Sequence, residues 1–143
     1  MLTLNIFLSI LLVCAQSGNS VILDRNQLKK WLSNYLTSNI FDLSSRQITF
    51  ISNDTFNGLT HLVTLSLYDN KLTTLDANLF KGLHRLQSLR LDQNKISSLP
   101  STIFDEMSQL VGLDLHNNLI SQLDVNLFKM VTRLQIWICL TTC

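Results

Sequence analysis

At 143 residues, with 46% hydrophobic and 15% charged side chains, the chain has the length of one domain and enough apolar surface to bury a continuous core. That balance excludes a disordered polar chain, and the formal charge of +1 gives no bulk attraction to nucleic acid or to an anionic membrane.

Met1 to Ser20 carries no charged side chain, and Leu2 to Ala15 is largely apolar before polarity rises at Gln16. The segment is too short to span a bilayer and fits the apolar part of a secretory signal peptide, cleaved after Ala15 or after Ser20. Only the initiator amine is positive there, a departure from the usual basic start. A lipoprotein reading of Leu11-Leu12-Val13-Cys14 needs a small residue where Val13 stands. No later stretch reaches about 20 apolar residues, so no membrane span is expected.

Residues 21–37 are expected to form a helical N-terminal lid. Leu28, Trp31, Leu32, Tyr35 and Leu36 recur at intervals of three and four, the period of an amphipathic helix. Such a helix either closes one end of the core over Phe41 and Leu43 or offers its face to a partner.

From residue 38 onward the chain repeats itself every 24 residues. Leu62, Leu86, Leu110 and Leu134 are in register, as are Leu65, Leu89 and Leu113, and Leu67, Leu91 and Leu115. The columns continue through Asn70, Asn94 and Asn118, then Phe80, Phe104 and Phe128. Units therefore run 38–61, 62–85, 86–109 and 110–133, with a partial unit 134–143. Within each, two apolar residues two apart predict a short strand with one buried face, pairing in parallel with its equivalent one unit on.

The pattern L-x-x-L-x-L-x-x-N-x-L-x-x-L-x-x-x-x-F-x-x-L-x-x resembles the leucine-rich repeat of extracellular animal proteins. Similar repeats occur in Toll-like receptor ectodomains, Slit proteins, small leucine-rich proteoglycans and variable lymphocyte receptors. The resemblance covers residues 38–139 and implies an α/β, right-handed leucine-rich-repeat solenoid (a horseshoe) with a short-stranded parallel sheet on its concave face. Phe56, Phe80, Phe104 and Phe128 read as a buried spine on the convex side, not as a cofactor box. Asn70, Asn94 and Asn118 read as a structural ladder: at an inward turn, an Asn side chain can donate and accept between the backbones of two units.

Neither end follows the family. Phe41-Asp42-Leu43-Ser44-Ser45-Arg46 resembles the family's entry to the first repeat, but Leu43 stands where a cap cysteine is usual. At the other end, Trp137 and Cys139 occupy the two apolar strand positions, which leaves Ile136 and Ile138 on the solvent side. That unit either belongs to a longer receptor or matrix protein or pairs edge to edge with another chain through 134–143. Cys139 and Cys143 make no structural zinc site, which needs about four ligands. Spacing leaves open whether they pair with each other, pair elsewhere or stay free.

The concave columns differ in chemistry from unit to unit: Ile40, Asp42, Ser44 and Ser45; Thr64, Ser66, Tyr68 and Asp69; Ser88, Arg90, Asp92 and Gln93; Gly112, Asp114, His116 and Asn117. The resemblance implies ligand binding on this face. Tyr68, Arg90, Asp92, Asp114 and His116 form the candidate site, with Tyr and Arg as favoured interface anchors and the flanking carboxylates fixing orientation. The competing reading is a merely solvated sheet. A secreted protein that recognises a protein ligand, or a glycan or microbial product, is the expected function, with an immune role as one version. No nucleic-acid partner, metal, cofactor or enzymatic activity is expected. Asp114 and His116 lack a nucleophilic cysteine, a pocket or further metal ligands beside them. Asn53-Asp54-Thr55 is an N-glycosylation triplet on the convex return of the first unit.

Overall fold

A computed structural model describes residues 20–137, and side chains as far as Gln135. The expected signal peptide, Cys14, Ile138, Cys139 and Cys143 lie outside the described residues. In chain order the elements are β1 (Val21–Leu23), α1 (Arg25–Trp31), β2 (Ile40–Asp42), β3 (Ile48–Ile51), β4 (Thr64–Ser66), β5 (Ser88–Arg90), β6 (Gly112–Asp114) and β7 (Gln135–Trp137).

Five of these strands form one parallel sheet in the order β2-β4-β5-β6-β7. Ladder partners Phe41, Leu65, Leu89 and Leu113 are 24 residues apart, so each unit delivers the same backbone atoms to the next. All four side chains point inward and are buried, while Asp42, Ser66, Arg90 and Asp114 alternate to the other face. Leu43, Leu67, Leu91 and Leu115 form a second buried column just beyond the strands. The chain then returns on the convex side through successive tight turns, in which amides of Leu59, Leu83, Met107 and Val131 bond to the carbonyls of Phe56, Phe80, Phe104 and Phe128. Those aromatic rings enter the core from outside: Phe56 stacks on Phe80 at 6.2 Å and Phe104 on Phe128 at 6.0 Å between centroids. The molecule is a parallel-strand solenoid.

The N-terminal segment is not one helix over 21–37. Val21–Leu23 is strand β1, paired in parallel with β3 on the convex side. Its apolar, partly β-branched residues suit a strand, and Asp24 then opens α1 by accepting the Gln27 amide at 2.6 Å. The helix stops at Trp31 because Leu32 turns to an extended conformation. Leu28 joins the core, and Trp31, Leu32 and Tyr35 pack partly against it, whereas Leu36 is exposed. The Trp31 ring also carries the Arg46 guanidinium, 4.6 Å from its centroid.

The last strand departs from the 24-residue spacing. Ile136, not Trp137, is the ladder partner of Leu113, and Trp137 pairs with Asp114. Elsewhere alternation pins the register, because a slip of one residue would expose the buried column. In Ile136-Trp137-Ile138-Cys139 both parities are apolar, so that restraint is lost.

Candidate ligand-binding face

Strands β4, β5 and β6 leave the sheet through turns whose geometry is set by Asn70, Asn94 and Asn118. The Asn94 side chain accepts the Leu72 amide at 3.1 Å and donates to the carbonyls of Leu67 (2.9 Å) and Leu91 (3.0 Å). Asn118 does the same one unit on, accepting from Ile96 and donating to Leu91 and Leu115. Asn70 accepts two amides, those of Arg46 (3.1 Å) and Ile48 (3.0 Å), and donates to Leu43 and Leu67. The carbonyls of Leu67 and Leu91 are thus each held by two asparagines from neighbouring units.

The residue before each asparagine position completes the turn in the left-handed region: Ser45, Asp69, Gln93 and Asn117 have φ between 52° and 56°. Asn and Asp tolerate that conformation, and Asp69 and Asn117 carry such a signal in the sequence. Ser45 and Gln93 do not. The side chains at all four positions are exposed at the rim of the face.

Across β4, β5 and β6 the strands bring Tyr68, Arg90, Asp92, Asp114 and His116 into one network. Arg90 lies over the Tyr68 ring at 4.5 Å. Its Nε and Nη2 donate to the two carboxylate oxygens of Asp92 at 3.1 and 2.8 Å. His116 Nε2 lies 3.7 Å from the same carboxylate, and His116 Nδ1 lies 2.5 Å from Asp114 Oδ1. Asp92 is fully buried, while Arg90 keeps 46% of its side chain exposed. The five residues therefore divide by role: Asp92 cannot touch a partner and instead orients Arg90 and His116, which can. Asp92, Asp114 and His116 each present a ligand atom within 4.8 Å of the others, the grouping among the described residues that could hold a metal ion. Arg90 already occupies both Asp92 oxygens as its cation.

A family model for the leucine-rich repeat matches residues 39–96 and 84–136. The chain is a leucine-rich-repeat protein. No curated protein sequence matches it significantly. Among solved structures it is similar to a TLR13–ssRNA13 complex (27% identity, 68% of this chain and 14% of that one, TM-score 0.64). It is also similar to the leucine-rich-repeat domain of APL1B (26% identity, 83% and 35%, TM-score 0.68). The Toll–Spatzle complex of Drosophila shares the fold at 24% identity, 68% and 16% coverage and a TM-score of 0.59. The chain spans 14–35% of the length of these relatives. Leucine-rich-repeat proteins are typically recognition modules and not enzymes.

On this leucine-rich-repeat sheet, the strands and their extensions carry Asp42, Asp92 and Asp114 beside Arg90, while Asp69 stands at the exit turns together with Arg46, Lys71 and Lys95, which adjoin the asparagine positions. The Ser44 hydroxyl holds the Asp42 carboxyl below the ordinary Asp range; partial burial opposes this, and the Ser44 amide and the Arg46 and Arg90 charges add to the lowering. Ser44 also bonds Ser66 at 2.7 Å, and Ser45 bonds Asp69 at 2.7 Å, which extends the polar surface toward the first unit. The Asp92 carboxylate keeps Arg90 charged, raising its pKa above the usual arginine value. Asn53 stands apart, exposed on the convex side. No helix among the described residues is long and apolar enough to cross a membrane.

Proposed function

We propose that this chain is a secreted recognition module that binds a protein ligand through its concave sheet, in extracellular recognition of the kind innate immunity uses. The observation that carries the reading is the network itself. Tyr68, Arg90 and His116 stand exposed or half-exposed at the centre of the face, held in place from beneath by a fully buried Asp92. A planar cation stacked on an aromatic ring and fixed by a bidentate carboxylate is a rigid anchor that loses little entropy on binding.

The charge of the face narrows the partner. Arg90 neutralises Asp92, and the carboxylates of Asp42 and Asp114 remain on the strands beside it, which suits a ligand presenting lysine or arginine. Although one relative was solved with single-stranded RNA, this face favours a basic protein surface over nucleic acid.

The test pans a display library of secreted proteins on the wild-type chain and on a Tyr68→Ala, Arg90→Ala double variant. Ligands captured by the wild type are expected to lose at least about tenfold in affinity on the variant, since anchor residues carry most of an interface's energy. They are also expected to weaken between 50 and 150 mM salt as the screening length shrinks toward about 8 Å. Ligands that bind both proteins equally would refute the concave face as the site.

A further inference from the structure

The convex return of the first unit holds the triplet Asn53-Asp54-Thr55, whose two functional side chains lie in opposite environments. Asn53 is exposed on a turn, beside a polar groove of 340 Å³ that Asp54, Asn57, Asn78 and Lys81 also line. Thr55 is fully buried. Its hydroxyl donates to the Leu23 carbonyl at 3.0 Å, and the Ser52 amide donates to that same carbonyl at 2.9 Å. The Thr55 hydroxyl is therefore part of the joint that fastens β1 to β3.

An Asn-x-Thr triplet accepts an oligosaccharide only when the hydroxyl is present, so the transferring enzyme must contact both side chains. In the folded chain one of the two is out of reach. The segment is also held in turns, Thr55 bonding back to Ser52 at 3.0 Å and Asn57 to Asp54 at 3.1 Å. Only a chain in which β1 has not yet docked presents both groups.

We infer that Asn53 carries an N-linked oligosaccharide, attached before β1 pairs with β3, so that modification precedes closure of this end of the solenoid. The inference rests on the secretory reading above. The donor is an oligosaccharide on a polyprenyl pyrophosphate. Asn53 Nδ2 attacks its anomeric carbon and a C–N bond forms. The C–O bond to pyrophosphate breaks, the amide proton passes to a base of the transferase, and the lipid pyrophosphate leaves. Once attached, the sugar projects over the convex groove, where the Asn57 and Asn78 amides and the Lys81 ammonium suit its hydroxyls. The concave face stays clear.

The full chain translated with secretory microsomes tests this. Chain protected from added protease is expected to migrate with one oligosaccharide that a peptide-N-glycosidase removes. Asn53→Gln is expected to abolish the shift and Thr55→Ser to retain it. Thr55→Ala is expected to abolish the shift and, unlike Asn53→Gln, to speed amide exchange at Ser52. Refolded, sugar-free chain offered to purified transferase with its lipid-linked donor is expected to be modified at least tenfold more slowly than a peptide spanning 49–60. Protected but unshifted wild-type chain would overturn the site, and equal rates for folded chain and peptide would overturn the order of events. Chain left outside the microsomes would instead overturn the secretory reading, and this inference with it.

Discussion

Replacing Asn94 by Ala removes the middle rung of the asparagine ladder, and the structure allows its cost to be worked out bond by bond. The Leu72 amide has the Asn94 side-chain oxygen as its partner and is buried, so the substitution leaves one donor without an acceptor. An orphaned buried donor costs about 1–3 kcal/mol. The Leu67 and Leu91 carbonyls lose one donor each but keep Asn70 and Asn118 respectively. Losing the second of two bonds at a carbonyl costs about 0.5 kcal/mol, at the low end of the net value of a hydrogen bond. The sum is about 2–4 kcal/mol. Asn70→Ala orphans two amides and is expected to cost more. Asn118→Ala orphans one, at a less buried position that water can reach, and is expected to cost about 1–2 kcal/mol. Equilibrium urea unfolding of the three variants measures the series. A cost below about 0.5 kcal/mol for Asn94→Ala, or Asn118→Ala as the most damaging of the three, would refute the accounting.

Two further expectations concern the concave face. Ser44→Ala removes the largest influence lowering the Asp42 pKa, so an NMR titration of that carboxyl is expected to show its midpoint rising toward the ordinary Asp value. Because the folded-state pKa is depressed, the Ser44–Asp42 contribution to stability is present above the unfolded Asp value and is lost as pH falls through the folded one; the variant, which keeps only the Ser44 amide bond, is expected to show a smaller contribution in acid unfolding. Asp92→Asn keeps the shape but puts an amide donor opposite the Arg90 guanidinium, so exchange of the Arg90 Nε proton is expected to accelerate about tenfold, or about 1.4 kcal/mol. That lies below the 1.5–3 kcal/mol of a buried charged bond, because Arg90 is 46% exposed. An unchanged exchange rate would mean that Asp92 does not hold the arginine.

The solenoid was legible because its 24-residue columns write the same physical demand four times, and chance composition does not keep Leu65, Leu89 and Leu113 in step with Asn70, Asn94 and Asn118. Where the repetition stops, legibility stops with it. Val21–Leu23 pairs with β3, forty-eight positions into the chain, and no local pattern announces so distant a strand partner. The slip at Ile136 follows from an apolar run that fits either register. The candidate residues were readable as a column of varied chemistry facing one way. Their division into an exposed anchor and a buried support was not, because alternation along a strand assigns Asp92 and Arg90 to the same side and says nothing of depth. That division depends on Arg90 folding across the next position in its own strand exit, over the Tyr68 ring.

The doubly held carbonyls of Leu67 and Leu91 have a consequence for how such a chain can change its length. Each rung uses atoms that every unit supplies alike, so residues 86–109 could be excised as a block and Leu67 would meet Asn118 where it now meets Asn94. No new kind of contact would be needed, and the face would lose one row while keeping its curvature and spacing. An excision that is not a whole number of units would take the asparagine rungs and the buried columns out of step with their neighbours. Variation in this molecule is thus quantised: the surface can be edited residue by residue, but the scaffold only in whole units.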